Sequence, residues 1–397
     1  MKVCSLFAGV GGIDLAFKQA GFEIVWANEF DHNACLTYKE NFTDHPLVEA
    51  DIRKIDAGII PDFDILTAGF PCQSFSVCGK QKGFKDERGN LFFEICRVID
   101  EKSPRILFLE NVANLVDHDD GRTFITIHNE LVSRGYYIRY IIADACEYGV
   151  PQHRTRTYIV AFKDYAECTG LVFPHKTALE KKISDIIDFE SKAAAELYFC
   201  EDSKEYQKLV AFIDDPKQVY RFSDYGIQKG RDGISFTLKA NMGTWRGREP
   251  IVKDHYGIRK LSAKECFLLQ GFPGTFKLPN IAKEQLYKQA GNTVCVPIVR
   301  QIAAAIKMAA GENEILKAKI NSGDTLWWVN EEEKKEGTVQ VVRVQDDLLE
   351  VLYKGIVVVR PISCIGKTLF LSSQLKNNTL LRLCSNKSEY LSDYIPF

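Results

Sequence analysis

Cys72 stands in the run Gly69-Phe70-Pro71-Cys72-Gln73-Ser74-Phe75-Ser76, directly after a β-rich stretch at 65–68. A side chain there leaves the carboxyl end of a strand, where parallel sheets open a cleft for ligands. A thiol has a reference pKa of ~8.5 and needs positive surroundings to attack as a thiolate near neutral pH. Arg154 and Arg156, in Gln152-His153-Arg154-Thr155-Arg156, supply them if the chain brings the two segments together. Glu110, in Glu110-Asn111-Val112, ends another strand-like run and should open onto the same cleft. A thiol, a carboxyl and guanidinium groups together suit nucleophilic attack assisted by a general acid. His153 also admits a cysteine-hydrolase reading, but that reading leaves the second cluster without a purpose.

The second cluster is Phe7-Ala8-Gly9-Val10-Gly11-Gly12, between the first expected strand and the first expected helix. Glycines there let the backbone turn sharply and approach a ligand closely. Glu29 ends the second expected strand, where an acidic side chain can accept ribose hydroxyls, and Asp51 follows near the third. Alone, this pattern fits a dinucleotide and an adenosylmethionine site almost equally, and a glycine turn can also be purely structural.

Both clusters depend on alternating β and α segments for their placement. Strands are expected at 3–7, 23–27, 65–68, 106–109, 137–143 and 157–162, with helices at 13–19, 33–41, 91–102 and 123–134. Such alternation implies an α/β domain with a mostly parallel sheet. From 174 to 258 no period is sustained, and an irregular domain with short strands is expected. The stretch 217–264 within and beyond it is rich in Lys and Arg. Ser262 is a natural N-cap for a helix through Leu269. A last helix begins near Pro297, sets Ile298, Ile302 and Ile306 on one face, and should stop at Gly311. Strands at 325–329, 338–344, 348–353 and 356–360, with turns at Asp346-Asp347 and Lys354-Gly355, make a small β-rich appendage. The expected domains are therefore 1–173, 174–258, 259–311 returning to the first, and 312–397.

The 397 residues, 46% hydrophobic and 26% charged, describe a chain with a full core. No apolar run approaches the ~18 residues of a membrane span, so no membrane partner is expected and the expected location is the cytoplasm. Twelve cysteines without a single Cys-x-x-Cys pair read as free thiols, and no metal is expected. A net charge of −2 leaves room for a local basic face.

Taken together, these motifs resemble the bacterial DNA cytosine-5 methyltransferases of restriction–modification systems. The glycine turn, Pro71-Cys72-Gln73, Glu110-Asn111-Val112 and Gln152-x-Arg154-x-Arg156 occur in that family's order. Arg259-Lys260-Leu261 with Glu265-Cys266, Gln270-Gly271-Phe272-Pro273 and Gly291-Asn292-Thr293-Val294 follow, also in order. The resemblance implies a Rossmann-like methyltransferase sheet, a target-recognition domain in the variable segment, and S-adenosylmethionine as methyl donor. It implies that Cys72 adds to carbon 6 of a flipped-out cytosine, Glu110 binds ring nitrogen 3, and Arg156 holds the carbonyl with Arg154 close by. Phe7, Ala8, Gly9, Gly11, Gly12, Glu29, Phe30, Asp51, Ile52, Pro71, Leu91, Asn292 and Val294 would form the cofactor pocket. Gln73, Ser76, Lys80, Lys82 and Arg88 would contact DNA from a closing loop, and Thr237, Arg246 and Arg248 from the recognition segment. Cys78 departs from the serine many relatives carry in that loop. Double-stranded DNA is the implied partner, the protein a monomer, and a cognate restriction endonuclease would act in the same system without a stable complex. A transfer-RNA cytosine methyltransferase would carry Cys-Phe-Thr before its last motifs, and this chain has none. A non-catalytic DNA-binding relative would lose the thiol or the carboxyl, and both are present.

Overall fold

Val3, Cys4, Ser5 and Leu6 are each no more than 1% exposed, the signature of a strand covered on both faces. They form β1 (Lys2–Leu6), near the middle of the molecule's largest sheet. The structure is a computed structural model. It describes residues 1–70, 91–244 and 249–317, with side chains as far as 311, and then the backbone of strands between 325 and 371. Two units divide the chain: 1–163 with 173–306, and 164–172 with 307–397.

In the first unit, β1 is followed by α1 (Gly12–Gln19), β2 (Glu23–Glu29), α2 (His32–Asn41) and β3 (Leu47–Glu49). Next come β4 (Ile65–Gly69), α3 (Leu91–Lys102), β5 (Ile106–Val112), α4 (Arg122–Ser133), β6 (Tyr137–Asp144) and β7 (Thr155–Phe162). The sheet order is β3-β2-β1-β4-β5-β7-β6. Six strands run one way, and β7 is inserted antiparallel between β5 and β6. The expected α/β sheet is present. The reversed strand is a local departure, made possible because β6 and β7 are joined without a crossover helix. β3 was missed by periodicity because three residues carry no alternation. β5 runs on to Val112, so Glu110 pairs with Gly69 on one side and Tyr158 on the other.

The segment expected to be irregular with short strands holds such strands, ordered into a sheet, and a helix. α6 (Lys204–Phe212) is capped by the Ser203 hydroxyl, which accepts the Tyr206 N–H. β8 (Tyr220–Ser223), β9 (Gly226–Lys229), β10 (Ile251–Asp254) and β11 (Gly257–Lys260) form an antiparallel sheet in the order β11-β10-β8-β9. Leu209, Tyr220, Ile251 and Ile258 make its small core. Four-residue strands are too short for alternation to stand out from a loop. The boundary expected at 258 falls inside β11, and the reason is Arg259. Its buried guanidinium meets Asp254 at 2.6 Å and Glu265 at 2.9 Å, fastening β11 to both β10 and the next helix.

That helix, α7 (Ala263–Leu268), begins with the expected Ser262 cap, completed as a capping box by Glu265. α8 (Lys283–Asn292) and α9 (Val296–Lys317) complete the unit, α9 passing out of it. The helix does not stop at Gly311, since an interior glycine costs a helix only about 1 kcal/mol. The stretch Lys283–Gly311 is, by length and composition, apolar enough to cross a membrane, contrary to the expectation from sequence. It is interrupted between α8 and α9, and Ile298, Val299, Ile302 and Ile306 are buried, as in the core helix of a globular unit.

The second unit holds α5 (Tyr165–Gly170) and an antiparallel sheet in the order β15-β14-β13-β12-β16. Its strands are β12 (Thr325–Asn330), β13 (Lys335–Gln345), β14 (Leu348–Tyr353), β15 (Ile356–Pro361) and β16 (Leu369–Leu371). The four expected strands are there with a short fifth, and the two expected turns lie outside the described residues.

Arg259→Met should leave Asp254 and Glu265 without their shared cation, a loss of roughly 3–5 kcal/mol for a broken buried pair. Urea unfolding measures it, and a loss below about 1 kcal/mol would show that these ion pairs do not fasten β11.

Candidate active site

The turn after β1 is held in an unusual backbone conformation. Phe7 has φ of 54°, Gly9 58° and Gly11 85°. A left-handed phenylalanine is strained and persists only where its surroundings impose it. Glu29 is the imposing group. Its Oε2 accepts the Gly9 N–H at 2.8 Å, and its Oε1 accepts the N–H groups of Phe30 and Asp31, each at 2.8 Å. One buried carboxylate therefore clips the glycine turn to the end of β2. A Cβ on Gly9 would meet no atom within 4 Å, so the turn faces open space. By contrast, a Cβ on Gly12 would come within 2.3 Å of the Thr293 hydroxyl, because α1 packs directly against the 293–294 segment.

Several of the expected cofactor residues lie on or beside this turn and the neighbouring strand ends. Ala8 donates its N–H to the Asn28 carbonyl. Phe30 is 71% exposed beside Glu29. Asp51 caps the short turn at 52–54 through the Arg53 N–H, and pairs with the Arg53 side chain, while Ile52 is buried. β1, β2 and β3 are parallel neighbours, so these groups lie at the carboxyl ends of adjacent strands. Leu91 opens α3 and packs on the same core cluster as Phe7 and Ile52. Val294 is buried and lies against Gly12, whereas Asn292 is exposed at the end of α8.

Glu110 lies two strands beyond β1, on β5. Its Oε1 is 3.2 Å from Nε of Arg156, whose Nη1 donates to the Thr155 carbonyl at 2.8 Å. Burial pushes the carboxyl up from the usual range, and Arg156 and then Arg154 oppose that shift. Asn111, the next residue, donates to the Phe70 carbonyl at 2.8 Å and so anchors the chain where it leaves β4. Pro71, Cys72, Gln73, Ser76, Lys80, Lys82 and Arg88 follow that anchor and lie outside the described residues, as do Arg246 and Arg248.

Arg154 is placed differently from Arg156. Only 2% exposed, its guanidinium donates to the carbonyls of Leu238 at 3.0 Å, Gly291 at 3.1 Å and Thr293 at 2.7 Å. Burial, with Arg156 nearby, pushes it down to about 10. It is a positioning residue, with those nitrogens turned to protein carbonyls. Gln152 does similar work, and sequence reasoning had treated it only as part of a motif. It donates to Leu269 at 2.9 Å and accepts from the Leu238 N–H at 3.0 Å. Gln270 continues the chain of bonds, donating to Ala290 at 2.7 Å. The alternation Gln152-x-Arg154-x-Arg156 was the available signal, since alternate residues share a face as β7 begins.

Beside this hub, Arg221, Phe222, Tyr225, Phe236, Thr237 and Lys239 line a cleft of the segment around β8 and β9. Arg221 lies over the Phe236 ring at 4.2 Å, and Tyr225, at the β8–β9 turn, is 97% exposed. Thr237 reaches the cleft but donates its hydroxyl to the His153 carbonyl at 2.5 Å.

An open glycine turn at the carboxyl ends of neighbouring parallel strands, with a carboxyl–arginine pair two strands along, is the arrangement of a nucleoside-cofactor transferase. Residues 1–308 match the family model for C-5 cytosine-specific DNA methylases. The Type II methyltransferase M.Bsp6I of Bacillus sp. (strain RFL6) is 46% identical over 310 residues, which are 77% of this chain and 98% of that protein. The Type II methyltransferase M.HhaI of Haemophilus parahaemolyticus is 36% identical over 313 residues, 76% of this chain and 93% of its own length. In fold, the chain is similar to a solved DNMT2 of Spodoptera frugiperda, with TM-score 0.59 and 22% identity over 77% of this chain and 99% of that one. The chain belongs to the C-5 cytosine-specific DNA methylase family. Its reaction is methylation of carbon 5 of cytosine in DNA, with S-adenosylmethionine as donor. The open face of Gly9 and the clipped turn fit that cofactor.

The contrast between the two arginines is measurable. Arg154→Lys keeps the charge but loses the fork that serves three carbonyls, so stability should fall by about 1–3 kcal/mol for each group left unsatisfied. Arg156→Lys should change stability by less than about 1 kcal/mol, because its side chain is partly open to solvent. Equal unfolding midpoints for the two variants would contradict the assignment.

Proposed function

We propose that this protein is the modification methyltransferase of a type II restriction–modification system, acting on a specific sequence in double-stranded DNA as a monomer. The proposal rests on the half-buried Glu110–Arg156 pair beside the strand that leads to Cys72. The type II designation of M.Bsp6I and M.HhaI, and their near full-length coverage, support the biological role. A cognate endonuclease would share the target sequence without forming a stable complex, and the cytoplasm, where the DNA lies, is the location this role requires.

Carbon 5 of cytosine is a weak nucleophile and must be activated. In the proposed sequence the base is flipped out of the duplex, since it cannot be attacked within the stack. Cys72 thiolate adds to carbon 6, breaking the 5,6 double bond and moving its electron pair toward carbon 5. Glu110, in its neutral form, donates a hydrogen bond to ring nitrogen 3 and stabilises the developing charge. Arg156 orients Glu110 and holds the base carbonyl, and Arg154 keeps the segments behind them in register. Bound S-adenosylmethionine supplies an electrophilic methyl group. The chain's own work is to place carbon 5 in line with it and exclude water. Loss of the carbon-5 proton to a base then allows Cys72 to leave as thiolate. Gln73, Ser76, Lys80, Lys82 and Arg88 would close over the vacated stack, and Arg246 and Arg248 would contact the target with the cleft residues.

The raised pKa of Glu110 fixes the direction of the pH dependence. The neutral carboxyl is the working form, so turnover should decline as pH rises through the raised value. Linkage has the same sign. Glu110's contribution to stability is full below the unfolded pKa of ~4.3 and is lost as pH rises through the folded value. Glu110→Gln should lower kcat by about 10²–10⁴ and abolish this limb of the profile. An unchanged profile in that variant would exclude Glu110 as the titrating group.

The covalent step is tested with duplex DNA carrying 5-fluorocytosine, where the missing carbon-5 hydrogen prevents release. The wild-type enzyme should form a denaturant-resistant adduct and Cys72→Ser none. An adduct in the variant would reject Cys72. For the recognition cleft, Lys239→Ala should weaken binding to all sequences alike and reduce the slope of log K against log salt by about 1, as expected for one lost phosphate contact. An unaltered slope would remove Lys239 from the DNA surface.

A further inference from the structure

Three side chains with no part in the chemistry above converge on the connection between β6 and β7. Asp144 ends β6, Cys146 lies in the short helical turn at 145–148, and His153 leads into β7. Their ligand-type atoms all lie within 4.8 Å of one another. The His153 Nδ1 is 3.0 Å from Oδ2 of Asp144 and 3.4 Å from Sγ of Cys146. One ring nitrogen thus lies close to both a carboxylate oxygen and a sulfur. A cation between the three would serve all of them. Zinc bonds of about 2.3 Å to sulfur and about 2.0–2.2 Å to nitrogen and oxygen place tetrahedral ligands roughly 3.4–3.6 Å apart. The two separations seen here require adjustments of only a few tenths of an ångström.

The three groups are also held in advance. Asp144 uses Oδ1 for the Arg154 N–H at 2.7 Å, which leaves Oδ2 for an ion. The His153 N–H donates to the Ser235 carbonyl at 2.9 Å, and its own carbonyl accepts the Thr237 hydroxyl. The backbone on which the imidazole stands is therefore pinned on both sides. His153 is 55% exposed in its side chain, so an ion can enter and solvent can complete its coordination. Sulfur, nitrogen and a single carboxylate oxygen favour zinc-class divalent ions over magnesium or calcium, which require oxygen ligands.

We propose that Asp144, Cys146 and His153 form a binding site for a zinc-class divalent cation, with water completing the coordination sphere. Such an ion would tie together the two ends of the β6–β7 connection immediately before Arg154. The spacing Asp-x-Cys-x₆-His matches none of the paired-cysteine patterns by which zinc sites are read from sequence.

The test is cobalt(II) titration of the reduced full-length chain, followed by zinc competition. A thiolate-to-cobalt charge-transfer band and the visible bands of low-coordinate cobalt should appear at one equivalent, and zinc should displace them. Cys146→Ser should lose the charge-transfer band, while Cys72→Ser and Cys200→Ser should keep it. His153→Ala should weaken cobalt binding at least tenfold, a second readout that does not depend on the cysteine variant folding. Absence of the charge-transfer band in the wild type, its persistence in Cys146→Ser, or displacement by magnesium as effective as by zinc would each overturn the proposal.

Discussion

A guanidinium sealed from water must find oxygen atoms or destabilise everything around it, and in this chain that requirement falls on Arg154. Its partners come from places far apart in sequence: Leu238 at the edge of the recognition segment, Gly291 at the end of α8, and Thr293 beside the cofactor turn. Gln152 repeats the pattern two residues earlier, linking Leu269 to Leu238. The catalytic sheet, the recognition segment and the returning helices are thereby fixed to one short stretch of chain. Backbone carbonyls are suited to this work because they cannot rotate away as side chains can.

The same stretch separates two jobs between two arginines. Arg154 holds the framework, and Arg156, two residues further, reaches Glu110. The reversed strand β7 makes this possible. Because β7 lies against β5, Arg156 arrives level with Val112 while its side chain reaches back to Glu110. Burial raises the carboxyl's pKa, and the Arg156 and Arg154 guanidinium groups oppose the rise.

Much of this was legible in the sequence, for identifiable physical reasons. α3 spans the expected 91–102 because its apolar positions follow the helical period, and α7 starts at Ser262 because a capping box has a recognisable spacing. Glu110 and Arg156 were singled out because their neighbours form ordered motifs, and the fold brings the two side chains within 3.2 Å. The sheet of the recognition segment was not legible, since four-residue strands paired antiparallel leave almost no periodic trace. The reversal of β7 was equally hidden, because direction within a sheet depends on the connection and not on the strand's own residues. The structural work of Arg154 was invisible for a similar reason, as carbonyl partners carry no side-chain signature. The continuation of α9 past Gly311 shows neighbouring residues outweighing one weak helix former.

Gly291 shows how this architecture bears on change of specificity. A Cβ there would fall 2.2–2.4 Å from the backbone of Lys239 and Ala240, so α8 and the recognition segment touch main chain to main chain. That approach leaves no room for a side chain at Gly291. Grafting a foreign recognition segment into this scaffold therefore has a fixed join. The donor chain can differ freely in its strands and turns, but it must re-enter along 235–240 with the same backbone path. Interchangeability of the reading head is limited at its hinge and not at its reading surface.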